Sequence, residues 1–120
     1  MAKKILIVDD EPNLVKLCEA RLKASGYEVL TAFDGQQGLD KIKEEKPDLI
    51  ILDHMMPNLD GFEVCRILKA SDEYKDIPIV MLTASGQASE IETGLKKGVA
   101  AYITKPFKSE VLLSIVKGLA

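Results

Sequence analysis

Apolar residues along this chain form two patterns, short apolar runs and longer stretches with helical spacing. The runs are typical of strands that are covered on both faces of a sheet, and they lie at 4–8, 27–32, 49–53, 79–83 and 101–105. A longer amphipathic stretch follows each run. Strand and helix patterns therefore alternate five times along the chain.

Capping and helix-breaking residues indicate where the helices begin. Pro12 is suited to open the first helix, and Asp34 and Asp60 are suited to cap the second and third. A weaker fourth helix is predicted over 88–97, and Ser109 is expected to cap the last one. The apolar positions expected along the first helix are Leu14, Leu17, Cys18 and Leu22.

Five alternations of strand and helix predict an α/β fold with a parallel sheet and helices on both faces. We expect a flavodoxin-like three-layer sandwich with five strands in the order 2-1-3-4-5 and five helices. The length of 120 residues suits one compact domain spanning residues 1–120. In this order the first and third strands are neighbours, so residues at their carboxyl ends should meet.

Composition and charge exclude several classes of protein. The chain is 47% hydrophobic and 29% charged, with a formal net charge of -3. That balance gives no basic face for nucleic-acid binding, and the apolar runs are too short to span a membrane. We therefore expect a cytoplasmic protein. Cys18 and Cys65 lack metal-site spacing and are expected to be buried thiols.

Polar residues end the predicted strands that should lie side by side. Asp9 and Asp10 follow the first strand, Asp53 ends the third, Thr83 ends the fourth and Lys105 ends the fifth. Three carboxylates at one sheet edge repel one another, and oxygen ligands without histidine or thiolate favour Mg²⁺. A phosphoryl group bound there could contact the lysine ammonium and the threonine hydroxyl.

Asp53 is the best candidate for a nucleophile, because a carboxylate can accept a phosphoryl group. It stands alone at the tip of a central strand, whereas Asp9 and Asp10 form a pair better placed to hold a metal. The alternative is that these carboxylates only cap the helices that follow them. His54 should point away from Asp53 by strand alternation, so we expect a packing or surface role.

Four segments in order along the whole chain resemble the receiver domain of two-component response regulators. They read VDDE at 8–11, LDHMMPNLDG at 52–61, LTA at 82–84 and YITKPF at 102–107. The resemblance implies that Asp53 accepts a phosphoryl group from a sensor histidine kinase or a phosphotransfer protein. It also implies a site for Mg²⁺, or Mn²⁺ in its place, with Asp10 as a direct ligand, Asp9 acting through water, and the Met55 carbonyl completing the site.

The resemblance further implies how such a domain switches. Lys105 and Thr83 would contact the phosphoryl group, and the bond between Lys105 and Pro106 would be cis. Tyr102 matches the family's switch aromatic, and plain half-buried packing is the alternative for this residue. The output face toward an effector protein or output domain would comprise the fourth helix, the fifth strand and the last helix.

Other functions remain open on the sequence alone. One is a receiver-like interaction module that is not phosphorylated. Another is a metal-dependent phosphatase with an aspartyl nucleophile, but Met55 stands where such enzymes usually carry a second aspartate. A nucleotide-binding module would need a glycine-rich phosphate loop after a strand, and the chain has none. We expect no enzymatic activity beyond the domain's own phosphorylation and dephosphorylation.

Overall fold

A computed structural model describes residues 2–56, 59–84 and 98–120. Its strands are β1 (Lys4–Val8), β2 (Glu28–Ala32), β3 (Leu49–Asp53), β4 (Ile79–Ala84) and β5 (Ala101–Lys105). Its helices are α1 (Pro12–Ala24), α2 (Gly35–Glu45), α3 (Gly61–Lys69) and a C-terminal helix (Ser109–Leu119). The predicted fourth helix, 88–97, lies outside the described residues.

The five strands form one parallel sheet in the order β2-β1-β3-β4-β5, which confirms the predicted topology. Registers are regular, with Val8 opposite Leu52 and Asp53 opposite Leu82. The carboxyl ends of β1, β3, β4 and β5 therefore reach the same edge of the sheet. This edge is where the strand-end residues singled out in the sequence lie.

Alternation along each strand divides the core between the two faces of the sheet. Leu6, Ile50 and Met81 pack with α2 and α3 on one face. On the other face, their strand neighbours pack with α1 and the C-terminal helix. The central strands are buried on both sides, which explains their continuous apolar runs.

Two of the predicted helix caps are confirmed and one is wrong. Asp34 and Asp60 accept hydrogen bonds from the backbone N–H groups of Gln37 and Glu63, at 2.8 and 2.9 Å. Ser109, in contrast, is the first helical residue, and Lys108 occupies the N-cap position. The Ser109 hydroxyl instead donates to the Glu110 carboxylate at 3.5 Å.

The buried face of α1 differs from the predicted one by a small rotation. Leu17 is 51% exposed, and Val15 is buried in its place beside Cys18 and Leu22. Apolar side chains are spread over more than half of the circumference of α1, so spacing alone does not fix which of them faces the sheet.

Cys18 and Cys65 are both buried, on opposite faces of the sheet, so they cannot pair with each other. Burial raises the pKa of the Cys18 thiol to about 11, and the nearby charge of Asp9 adds to this effect. Such a thiol is protonated and unreactive at neutral pH.

Among the described residues, no helix combines the length and the apolar character that crossing a bilayer requires.

Candidate functional site

Three carboxylates meet at the carboxyl edge of the sheet. Asp9 follows β1, Asp53 is the last residue of β3, and Asp10 begins the loop toward α1. One oxygen from each lies within 4.8 Å of the others. Asp9 and Asp53 are buried, whereas Asp10 is exposed. Neighbouring parallel strands thus place acidic groups from separate segments at one point, as the sequence predicted.

Lys105, at the end of β5, supplies the positive charge of the site. Its Nζ atom lies 2.8 Å from Asp9 Oδ2, 3.4 Å from Asp53 Oδ1 and 3.1 Å from Glu11 Oε1. The lysine side chain is itself mostly buried, with 19% of its surface exposed. One ammonium group therefore balances part of the negative charge of three carboxylates, two of which are shielded from water.

The burial of these charges shifts their proton affinities. Burial raises the pKa of Asp53 to about 6 and the Asp9 charge adds to the increase, while Lys105 opposes it. Burial also raises the pKa of Asp9, against the lowering effects of Lys105 and the Glu11 backbone N–H. The pKa of Lys105 rises, because its carboxylate partners outweigh the effect of its own burial.

The donor set of the site fits a hard divalent cation. Asp9 Oδ2 is buried and forms an ion pair with Lys105, but no donor among the described residues meets hydrogen-bond geometry at this oxygen. A buried carboxylate oxygen in that position is suited to accept a further cation. The three candidate side-chain ligands offer only oxygen atoms, which Mg²⁺ prefers over nitrogen or sulfur.

An open cavity of about 260 Å³ lies beside the ends of β3 and β5. The cavity is lined by Asp10, Glu11, Asp53, Met55 and Lys105. Met55 is 63% exposed, so it lies at the open rim of the acidic cavity. The cavity has room for a small anionic group beside the carboxylates and the ammonium.

Gly61 sets how closely α3 approaches the end of β3. A Cβ atom at this position would collide with the Asp53 carbonyl oxygen and would lie 2.9 Å from His54 Cα. The Gly61 backbone N–H donates to the His54 carbonyl at 2.9 Å. His54 is buried, and its ring lies 4.3 Å from the Phe62 ring, centroid to centroid, which confirms the predicted packing role.

Thr83 and Tyr102 lie on the two strands beyond Asp53. Thr83 is buried near the end of β4 and lies opposite Thr104 of β5. Tyr102 lies opposite Met81 and is partly buried against the core face that α2 and α3 cover. The peptide bond between Lys105 and Pro106 is cis, as the resemblance implied.

Sequence reasoning missed the role of Glu11 as a partner of Lys105. The residue belongs to the VDDE segment, and its position two residues after Asp9 was the only available signal. A strand-end rule finds Asp9, Asp53 and Lys105, but it does not reach a residue at the start of the following helix. The structure adds Glu11 to the residues around the ammonium.

Comparison with known proteins finds matches over nearly the whole chain. The family model described as "Response regulator receiver domain" matches residues 5–117. The alkaline phosphatase synthesis transcriptional regulatory protein PhoP of Bacillus subtilis is 46% identical over 119 residues, which are 99% of this chain and 49% of that protein. The probable transcriptional regulator ycf27 of Cyanophora paradoxa is 45% identical over 117 residues, which are 98% of this chain and 48% of that protein.

Solved structures show the same likeness. The chemotaxis protein CheY4 of Vibrio cholerae is 33% identical, and the alignment covers 100% of both chains with a TM-score of 0.94. The chain spans about half the length of the two transcriptional regulators.

Proposed function

Because the chain belongs to the response regulator receiver domain family, we propose that it is a phosphorylation-controlled switch in two-component signalling. In this proposal Asp53 accepts a phosphoryl group from a sensor histidine kinase or a phosphotransfer protein. The observation that carries the proposal is the convergence of Asp53 and Lys105 with Asp9 and Asp10 in one open cavity.

The transfer is a displacement at phosphorus. A carboxylate oxygen of Asp53 forms a bond to the phosphorus atom while the bond from phosphorus to the imidazole nitrogen of the donor breaks. The electron pair of that bond stays on the imidazole, which then takes a proton. The reaction needs Asp53 as a carboxylate, and a pKa of about 6 leaves it mostly ionised at neutral pH.

Charge stabilisation supplies most of the catalysis of phosphoryl transfer. Lys105 would contact one phosphoryl oxygen, and the Thr83 hydroxyl would donate to another. Asp9, Asp10, Asp53 and the Met55 carbonyl would hold Mg²⁺, or Mn²⁺ in its place. When bound, the cation would neutralise part of the charge on the phosphoryl oxygens and on the carboxylates.

Phosphorylation would be read through Thr83 and Tyr102. The Thr83 hydroxyl gains a phosphoryl partner only in the phosphorylated state. Phosphorylation therefore favours the conformer in which the Thr83 hydroxyl contacts the phosphoryl group. Movement of Thr83 would open space that the Tyr102 ring can fill. The affected surface comprises the predicted fourth helix, 88–97, together with β5 and the C-terminal helix.

The partners follow from this assignment. A sensor histidine kinase or phosphotransfer protein would act upstream, and a downstream effector protein or output domain would respond, in the cytoplasm. The two curated relatives are named as transcriptional regulators, which supports an output domain that controls transcription. The receiver domain itself would bind neither nucleic acid nor membrane, and it would catalyse only its own phosphorylation and dephosphorylation.

Intact mass spectrometry tests the proposal against its alternatives. The protein is incubated with Mg²⁺ and a small acyl phosphate, and Asp53→Asn and Asp76→Asn are treated in parallel. We expect a phosphate-sized adduct on the wild-type protein and on Asp76→Asn, whose carboxylate is exposed, and none on Asp53→Asn. Absence of both adduct and donor turnover would favour the interaction module, and rapid turnover of the donor without an accumulating adduct would favour a phosphatase.

A further inference from the structure

Glu11 occupies the N-cap position of α1 without capping it. Among the described residues, its side chain accepts no hydrogen bond from the first turn of the helix. Glutamate is also not among the residues favoured at an N-cap, which are serine, threonine, aspartate and asparagine. The carboxylate reaches in the other direction, across 94 positions of sequence, and accepts a hydrogen bond from Lys105 Nζ at 3.1 Å. The Glu11 side chain therefore contacts the lysine of the cavity and does not cap helix α1.

The backbone around Glu11 fixes this arrangement. Its N–H group donates to Asp9 Oδ1 at 3.0 Å, and its carbonyl accepts from the Val15 N–H at 3.1 Å. The buried carboxylate that pairs with Lys105 thus also orients the residue that supplies the second partner. Glu11 and Asp9 contact the ammonium group from one segment of chain.

The three carboxylates around Lys105 differ in how easily water can replace the lysine. Asp9 and Asp53 side chains are 0% and 6% exposed, whereas the Glu11 side chain is 61% exposed. A buried carboxylate that loses its cation stays desolvated, but an exposed one becomes hydrated at little cost. Glu11 is therefore the partner that Lys105 gives up most easily.

We propose that Glu11 is a positioning residue, which holds the Lys105 ammonium at the mouth of the cavity and yields it to an incoming phosphoryl group. This inference rests on the proposed function of Asp53. In the exchange, one phosphoryl oxygen replaces Glu11 Oε1 beside Lys105 Nζ, and water hydrates the released carboxylate. No covalent bond of Glu11 or Lys105 changes.

Glu11 lies outside the trio of carboxylates that could hold a cation. A cation on Asp9 and Asp53 would compete with Lys105 for the same oxygens, and Glu11 gives the ammonium a third acceptor in that state. The lysine then remains at the cavity edge, where an anionic group would enter. Without Glu11, the ammonium would be held only by its two buried partners.

A double-mutant cycle tests the proposal. Glu11→Gln is combined with Lys105→Met, and phosphorylation by a small acyl phosphate is followed in Mg²⁺. We expect Glu11→Gln alone to react about two- to fivefold slower, the fold-change that one exposed ion pair can produce, because the ammonium group is then less often at the cavity edge. It should have no effect in the Lys105→Met background. Acceleration by Glu11→Gln, or an equal change in both backgrounds, would overturn the proposal, because Glu11 would then act only through its charge on the donor.

Glu44→Gln is the matched control, since it removes the same charge from an exposed glutamate at the far end of α2. It should leave the rate unchanged. If Glu44→Gln slows phosphorylation as much as Glu11→Gln does, net charge explains the effect and the proposal fails.

A measurement without phosphodonor separates this proposal from the proposed function. Side-chain NMR reports the order parameter of the Lys105 Cε methylene, which should fall in Glu11→Gln and stay unchanged in Glu44→Gln. An unchanged order parameter in Glu11→Gln refutes the positioning role. If the wild-type protein takes no phosphate while the order parameter falls as expected, the failure lies in the function proposed for Asp53.

Glu11→Ser separates the cavity role from a role in helix α1. Serine is a favoured N-cap, so this variant should raise the thermal midpoint while it lowers the Lys105 order parameter. A lower midpoint together with an unchanged order parameter would show that Glu11 only supports its helix, and it would end the proposal.

Discussion

Replacing Asp53 with asparagine removes a charge that the fold buries beside the carboxylate of Asp9. The pKa of Asp53 is raised from 3.8 to about 6, so the folded protein binds this proton more tightly than the unfolded chain does. A raised carboxylate pKa means that stability is highest when the group is protonated. The free energy of unfolding should therefore decrease as pH rises from about 4 to about 6 and level off above that.

The pKa difference sets the magnitude of the effect. A change of about 2 in pKa corresponds to about 3 kcal/mol between the two protonation states. The asparagine amide needs hydrogen-bond partners in the same buried position, which costs about 1–2 kcal/mol where they are lacking. We therefore expect Asp53→Asn to raise the free energy of unfolding by about 1–2 kcal/mol at pH 7.5 without divalent cations, and to leave it unchanged or slightly lower at pH 4.5.

Urea denaturation of both proteins in EDTA at the two pH values measures this effect. Asp76→Asn is the control, because its exposed carboxylate should leave the free energy of unfolding unchanged at both. The reasoning is refuted if Asp53→Asn destabilises the protein at pH 7.5, or if its effect is the same at both pH values.

Three further predictions concern the same edge of the sheet. Mg²⁺ at 100 times its Kd should raise the free energy of unfolding by about 2.7 kcal/mol, and thermal melts should show most of this increase lost in Asp10→Asn. Lys105→Met should lower the free energy of unfolding in EDTA by about 3 kcal/mol, measured by urea denaturation, because buried carboxylates lose their cation. A loss below 1 kcal/mol would contradict the inference that Lys105 neutralises these carboxylates. Gly61→Ala should cost about 1–3 kcal/mol in the same assay, since its Cβ would meet the end of β3. The control for this variant is Gly118→Ala in the C-terminal helix, whose Cβ meets no described atom within 4 Å and which should be neutral or slightly stabilising.

Strand positions could be predicted well because the sheet is covered on both faces. Continuous apolar runs such as 49–52 are typical of strands that are buried on both faces of a sheet. Three strands, β1, β3 and β5, have the bounds that the sequence indicated, and the strand order followed from the alternation of strand and helix. The convergence of Asp9, Asp53 and Lys105 is a consequence of that order.

Features that depend on competition between neighbours could not be predicted. Leu17 and Val15 both suit the buried stripe of α1, and only the docking of the helix on the sheet decides between them. Ser109 is a favoured cap, but the backbone after β5 already turns into the helix at that residue. Likewise, no pattern tells which of several nearby carboxylates an ammonium group will contact, so Glu11 was missed.

Two residues that line the same cavity break local preferences. A buried carboxylate at position 53 costs stability that an asparagine would recover, and a glutamate at the N-cap of α1 leaves that helix without a side-chain cap. Packing gives no reason to keep either residue. Reversible chemistry at Asp53 gives a reason for both, because it needs an ionisable oxygen and an ammonium group that can change partners. The stability gained by Asp53→Asn and the Lys105 mobility gained by Glu11→Gln are therefore linked measurements. If neither change appears, the cavity is a structural ion-pair cluster and the proposed switch loses its physical basis.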